Sequence, residues 1–353
     1  MHDLSIIAEI QKIEPIEGKD KIVLATVANY KTIVAKDEFA EGDRVIYCLY
    51  DSCLPVKPEY EFLRKRCYNS KINMFRIKPL KLGGVISEGL VLPLSILPGD
   101  KQNLKVGTVL DDILGIRNWE ELVEEEENTS TTKAPPKWYM KFKLVRRLVG
   151  KWYSRQKKVY AYPCPKSDEE NIEKIWDKVK DSDQVFYRSI KEEGQAATFI
   201  VRKKKLYCFS HNNYVEKGNW KDVAIKYNMK NTLPIVNKEF GTEVAIQGEI
   251  CGPGIQKNIY KYKDLQFFLY GAYDAKTGRK MNIDELHTIA ELMNVPEVTY
   301  LGSSKILGSL DEMLDDCIIK GNPNKYEEGV VWRTYDGSIH FKCKSRPYKV
   351  WFS

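Results

Sequence analysis

At 353 residues, 43% hydrophobic and 30% charged, with a formal net charge of +7, the chain has the apolar content for two folded domains and a positive excess suited to a polyanionic partner. Eight cysteines without a C-x-x-C pair exclude a disulfide scaffold and a zinc module, and predict free thiols in a reducing compartment. No apolar run reaches the ~20 residues of a membrane-spanning helix and Met1-His2-Asp3-Leu4 is no signal peptide, so the expected setting is cytoplasmic.

Residues 4 to 115 read as β-rich. Leu4–Ile13, Ile22–Val27, Thr32–Val34 and Val45–Leu49 are short β-branched runs, punctuated by Glu17-Gly18-Lys19-Asp20 and Glu41-Gly42-Asp43. A glycine bend at Gly83-Gly84 leads into a further strand ending at Pro93. Several short strands in so few residues predict a small closed barrel, of which the OB-fold is the common nucleic-acid-binding version. An assembly module is the competing reading.

A compositional break follows. Glu124-Glu125-Glu126-Glu127-Asn128-Thr129-Ser130 is acidic, then polar, and predicts a linker over 121–137 between domains at 1–120 and 138–353. Residues 133–158 carry ten Lys or Arg and no acid, interleaved with Trp138, Tyr139, Phe142, Trp152 and Tyr153. Cations attract phosphate and aromatics stack on unpaired bases, although an amphipathic helix with inward aromatics has the same pattern. From about 160 onward, helices at Asp168–Lys180, Asp284–Met293 and Ser309–Ile318 mix with strands at Thr198–Val201, Leu206–Phe209, Glu243–Ile250, Phe267–Tyr273, Gly329–Arg333 and Ile339–Cys343. That predicts an α+β domain built on antiparallel sheet.

Four strings in this half carry chemistry. Gln247-Gly248-Glu249-Ile250-Cys251-Gly252-Pro253-Gly254 ends an apolar run on one carboxylate, with glycines that allow close approach of another group. Lys191-Glu192-Glu193-Gly194 precedes a strand, and Glu328-Gly329-Val330-Val331 heads another. In Phe341-Lys342-Cys343-Lys344 the two lysines share one strand face.

Taken in chain order, with Lys191-Glu192-Glu193-Gly194 first and Phe341-Lys342-Cys343-Lys344 last, the strings resemble the covalent nucleotidyltransferases: DNA ligases, RNA ligases and mRNA-capping guanylyltransferases. The block Gly248–Asn258 is most similar to RNA ligases. Ile16-Glu17-Gly18-Lys19-Asp20-Lys21-Ile22, Gly42-Asp43 and Asp51-Ser52-Cys53-Leu54-Pro55 are similar to the N-terminal OB domain of Deinococcus-type ATP-dependent RNA ligases. The barrel-like part comes first here and nine residues follow Lys344, whereas DNA ligases and capping enzymes carry their OB domain after the nucleotidyl domain.

The resemblance implies an N-terminal OB barrel followed by an adenylyltransferase domain. It also implies ATP-dependent joining of RNA 3′-OH and 5′-phosphate ends through lysyl-AMP, in RNA repair. Lys191 matches the nucleophile; Lys342 and Lys344 match the cations on the α-phosphate. Glu249 matches the acid on a ribose hydroxyl, Gly194, the glycine of Lys-x-x-Gly, is a further nucleotide contact with Lys166, and Tyr270 matches the aromatic that stacks on adenine. Glu328 matches the acid near Mg²⁺ (or Mn²⁺), with Glu193 a second contact to metal water. Lys166 and Asp168 match a string upstream of the nucleophile, with Asn171 where arginine is usual; His211 in Ser210-His211-Asn212 also replaces an arginine and would contact nucleotide. The implied partner is RNA, as a nicked duplex, and the implied state a monomer. A GTP-dependent capping enzyme and an RNA- or tRNA-binding protein with a degenerate nucleotidyl domain are the competing functions.

Overall fold

The structure, a computed structural model, describes residues 3–119, 121–122, 162–165, 169–211, 213–317 and 327–352. The basic aromatic segment, nearly all of the expected linker, and Lys166 with Asp168 lie outside the described residues. The chain divides into two compact units.

The first unit is the barrel. Gly89–Pro93, Arg44–Leu49, Ser5–Pro15, Ile22–Val27 and Tyr30–Ala35 form one antiparallel sheet in that order. Alternation puts Ala8, Ile10, Ala25, Val27, Val45 and Tyr47 in one core cluster, and Ile7, Ile46 and Cys48 in another on the opposite face. The two edges of this sheet are tied together, because Glu88 N–H donates to the Lys31 carbonyl at 2.8 Å and Thr32 Oγ1 to the Gly89 carbonyl at 2.9 Å. An edge closed in this way no longer offers a template for foreign strands. A second sheet, in the order Arg117–Asn118, Ser52–Pro55, Met74–Arg76, Tyr68–Asn69, extends it.

The C-terminal helix Arg346–Phe352 groups with this first unit. The physical reason is an ion pair. Glu88 is fully buried, and Lys349 Nζ lies 2.7 Å from its Oε1, with Arg346 Nε 3.5 Å from its Oε2. Burial pushes the Glu88 carboxyl up, but the Lys349 and Arg346 cations outweigh it and hold it below the usual carboxylate range.

The second unit holds two five-stranded sheets. One runs Glu170–Asn171, His340–Lys344, Gly329–Thr334, Phe186–Ile190, Tyr300–Ser304; the other runs Tyr214–Val215, Lys205–Phe209, Gln195–Arg202, Val244–Cys251, Gln266–Asp274. Helices Asn219–Lys226, Met229–Phe240 and Ile283–Met293 cover one face of the second sheet, burying Val223, Leu233, Val236, Leu286 and Ile289 against Phe199, Ile246, Phe267 and Leu269. Helices Ile172–Val179 and Leu310–Asp315 do the same for the first sheet, on Phe186, Val330, Trp332 and Phe341. With one face of each sheet sealed by helices, strand alternation assigns the polar residues to the opposite faces. Those are Lys342, Lys344 and Arg333 on one sheet and Gln247 and Glu249 on the other. Strand Phe186–Ile190 passes into strand Gln195–Arg202 through Lys191–Gly194 alone, so the crossover between sheets is four residues long.

Candidate active site

That crossover is where the chemistry-bearing residues meet. Lys191 N–H donates to the Gly329 carbonyl at 2.9 Å, and Ser345 N–H donates to the Glu328 carbonyl at 2.9 Å. Lys344 pairs with Gly329 across the ladder, and Glu249 pairs with Ala196, just beyond the crossover. Two glycines permit the approach. A Cβ on Gly194 would lie 2.7 Å from Glu249 Cγ and 2.9 Å from Cys251 Sγ. Gly329 has φ +152°, and a Cβ there would strike the Cys343 carbonyl oxygen.

The side chains form a charged cluster. Lys191 Nζ lies 2.7 Å from Glu328 Oε1, and Lys344 Nζ lies 3.6 Å from the same oxygen. Burial favours the neutral amine of Lys191, but the charges of Glu328 and Glu249 and the hydrogen bond to Glu328 prevail, so its pKa stands above the ordinary lysine value. For Glu328, burial is outweighed by the Lys191 and Lys344 cations, which hold it as a carboxylate. Lys342 is driven the other way: burial first, then the Lys344 and Lys191 charges, lower it to about 8. Burial raises Glu249 to about 8, with Lys191 opposing and Glu328 reinforcing. The carboxylates hold Lys191 charged, while the neighbouring cations Lys342 and Lys344 are the groups that oppose that charge.

The comparisons with known proteins agree with this geometry. Residues 4–94 match a family model described as an OB-fold domain, and residues 186–351 match the RNA ligase model. The chain carries an RNA ligase domain behind an OB-fold domain. No curated protein matches it. Among solved structures it is similar to the RNA ligase of Naegleria gruberi. A lysine variant of that protein with AMP and Mn matches at 22% identity over 99% of this chain and 98% of that one, with a TM-score of 0.79. The same protein with PPi matches at 22% identity, 99% and 98% coverage and TM-score 0.79. A glutamate variant with ATP and Mn gives the same values, 22%, 99%, 98% and 0.79. At this identity the likeness shows a shared fold.

In the ligase domain, Lys191, Glu249, Glu328, Lys342 and Lys344 come together. Tyr270 is the extra residue of a β-bulge: Gln247 pairs with Gly271 and Gly248 with Leu269. It is half-buried and outside the core that takes Phe267 and Leu269, and Arg333 Nη1 donates to its carbonyl at 2.6 Å. His211 lies two residues beyond Phe209, which pairs with Thr198, and so at the crossover end of the second sheet.

Glu193 and Gly194 have structural partners of their own. Glu193 is 1% exposed, and its oxygens accept the Lys257 and Ile259 N–H groups at 2.8 Å each. It fastens the glycine-rich loop to the crossover, and this geometry gives no support to the expected metal contact. Gly194 packs closely against the Glu249 strand.

Sequence reading passed over three groups in the ligase domain. Glu169 follows Asp168 in the upstream string, and its charge reaches Lys191, Glu249 and Lys342. Glu192 is buried, which raises it to about 7, with the Tyr262 hydroxyl donating to it at 3.3 Å and Glu327 adding to the rise. Gln247 Nε2 donates to Tyr162 Oη at 3.0 Å, tying the segment before the crossover to the Glu249 strand. An acid at the second position of Lys-x-x-Gly was the available signal for Glu192; nothing in the string marks Gln247.

Proposed function

We propose that the protein is an ATP-dependent RNA ligase that joins 3′-OH and 5′-phosphate ends by way of a lysyl-AMP on Lys191. The observation that carries this reading is the position of the Lys191 amine, 2.7 Å from a buried carboxylate and on a crossover that leads directly to the strand paired with Glu249. In the first step neutral Lys191 Nζ bonds to the α-phosphorus of ATP, and the bond to pyrophosphate breaks. Lys342 and Lys344 offset the charge that gathers on the α-phosphate oxygens. An RNA 5′-phosphate oxygen then displaces Lys191 from AMP, and a 3′-OH finally displaces AMP from the RNA 5′-phosphate. Glu249 would accept from a ribose hydroxyl, Tyr270 would stack on the adenine, and His211 would contact nucleotide from the end of its strand.

Among the described residues no three His, Cys, Asp or Glu converge as a metal cage. Hydrated Mg²⁺ needs only one or two carboxylates besides phosphate and water, and Glu328, kept anionic, fits that demand. A divalent ion held there supplies charge neutralisation at the phosphates. Proteins of this fold have been solved with AMP, ATP, PPi and Mn, which supports the choice of nucleotide and metal.

The partner in this reading is RNA, as a nicked duplex bound by a monomer. No helix among the described residues is long and apolar enough to cross a membrane. Eight free cysteines suit a reducing, cytoplasmic setting.

The test is incubation with α-labelled ATP or GTP and Mg²⁺, followed by a denaturing gel. Label from ATP that survives denaturation and vanishes in Lys191→Ala is expected. Label from GTP would instead point to capping, and no label to a binding module.

A further inference from the structure

The far end of the second sheet carries a feature that adenylyl transfer does not use. Strands Gln195–Arg202 and Lys205–Phe209 are joined by a two-residue turn, with Arg202 paired to Lys205. Both turn residues are lysines at positive φ, Lys203 at 48° and Lys204 at 61°. Asn-Gly is what such a turn favours, because side chains with a Cβ are strained there. The sequence accepts that strain and places two cations at the tip.

Behind the tip lies a cavity of about 370 Å³ lined by Lys204, Lys205, Lys221, Ile225, Asn228 and Lys230 among others. No acidic residue lines it. Lys204, Lys221 and Lys230 make no ion pair among the described residues, and Ile225 is 69% exposed. The walls are rigid, since helices Asn219–Lys226 and Met229–Phe240 are fixed to the sheet by Val223, Met229 and Leu233. Unpaired lysines held close together repel one another, and a polyanion relieves that repulsion.

We infer that this lysine cavity is a second RNA contact, taking backbone phosphates of the substrate away from the ends being joined. Strand Gln195–Arg202 has 8 residues, which at about 3.3 Å each puts the turn roughly 26 Å from the crossover. A duplex seated on the crossover spans that distance easily, and lysines read phosphate without regard to sequence. The inference rests on the ligase reading for the identity of the polyanion.

The test is the full chain carrying Lys204→Glu, Lys221→Glu and Lys230→Glu together, all substitutions of surface side chains. Self-adenylylation with α-labelled ATP is measured beside anisotropy of a labelled nicked RNA duplex across a salt series. Labelling is expected to be unchanged. RNA affinity is expected to fall at least tenfold near physiological salt. The slope of log K against log salt is expected to drop by about 2 to 3, because each phosphate no longer neutralised lowers it by about one. Unchanged affinity and slope would overturn the assignment, whether the cavity then serves an acidic protein or nothing, and so would labelling that falls in step with affinity. A wild-type protein that never labels, yet loses RNA affinity in the triple variant, would sink the ligase reading and leave this RNA-binding role standing.

Discussion

Lys191 Nζ and Glu328 Oε1 are 2.7 Å apart, and this contact holds the proposed nucleophile in its unreactive state. An amine with a pKa above its ordinary ~10.4 is neutral in fewer than about one molecule in a thousand at pH 7. Discharging the amine therefore requires the Glu328 carboxylate to be engaged elsewhere or positive charge to be brought close, which a divalent ion held by Glu328 would do together.

The pH dependence follows from that sign. Below the lysine pKa the neutral fraction rises tenfold per pH unit, so the rate of self-adenylylation at limiting ATP should climb about tenfold per unit from pH 6 until another step limits it. Glu328→Gln removes the partner that raises Lys191, so its rising limb should move to lower pH. Its plateau should fall by about 10²-fold or more as the anionic anchor is lost. Initial-rate labelling at several pH values checks both; superimposable limbs would show that Glu328 does not govern the proton on Lys191.

Gly329→Ala tests the scaffold without removing a functional group. Its Cβ would meet the Cys343 carbonyl oxygen at φ +152°, so strand Gly329–Thr334 must part from Lys344 and carry Glu328 away from both lysines. A displacement of about 1 Å at reacting groups costs on the order of 10²-fold. Labelling should drop by at least that much, while gel filtration still shows a folded protein. Labelling within threefold of wild type would mean the two strands do not set the site.

Much of this was readable in advance, for reasons particular residues make plain. Strands such as Ile22–Val27 and Val244–Cys251 announce themselves by β-branched runs, and Lys342 and Lys344 by period-two spacing. Helix Met229–Phe240 does not, because Pro234 interrupts its pattern and Asn228 in left-handed conformation starts it; it holds through Leu233 and Val236 packing on the sheet. The placement of Arg346–Phe352 depends on Glu88, more than 250 residues away in sequence, a pairing no local pattern encodes. The two backbone N–H groups that Glu193 holds, at Lys257 and Ile259, lie more than sixty residues on and have no local signal either.

Tyr270 separates stacking from packing. Its ring stays out of the core and its bulge position is fixed through its own carbonyl, so Tyr270→Ala should leave the melting temperature within a few degrees of wild type. Loss of a base stack is worth about 1–3 kcal/mol, which should raise the KM for ATP between about 5-fold and 150-fold. Tyr270→Phe should keep both properties near wild type. A large fall in melting temperature for Tyr270→Ala with KM unchanged would return the ring to a structural role.

The buried pair of Glu88 and Lys349 should be the costliest single interaction to break in the barrel unit. Glu88→Ala leaves the Lys349 ammonium, 5% exposed, without its counter-charge, and such truncations cost about 3–5 kcal/mol. The Glu88 carboxyl is held below its ordinary value, so its contribution is complete above an ordinary glutamate pKa of ~4.3 and is lost as pH falls through the lower folded value. Urea melts of both proteins should accordingly show the full difference at pH 7 and a shrinking one toward pH 3. Adding Lys349→Met to Glu88→Ala should recover most of the loss, because the stranded charge, not the missing ion pair, carries the cost. A single variant within about 1 kcal/mol of wild type at pH 7 would mean that Arg346–Phe352 is not anchored to the barrel by this pair.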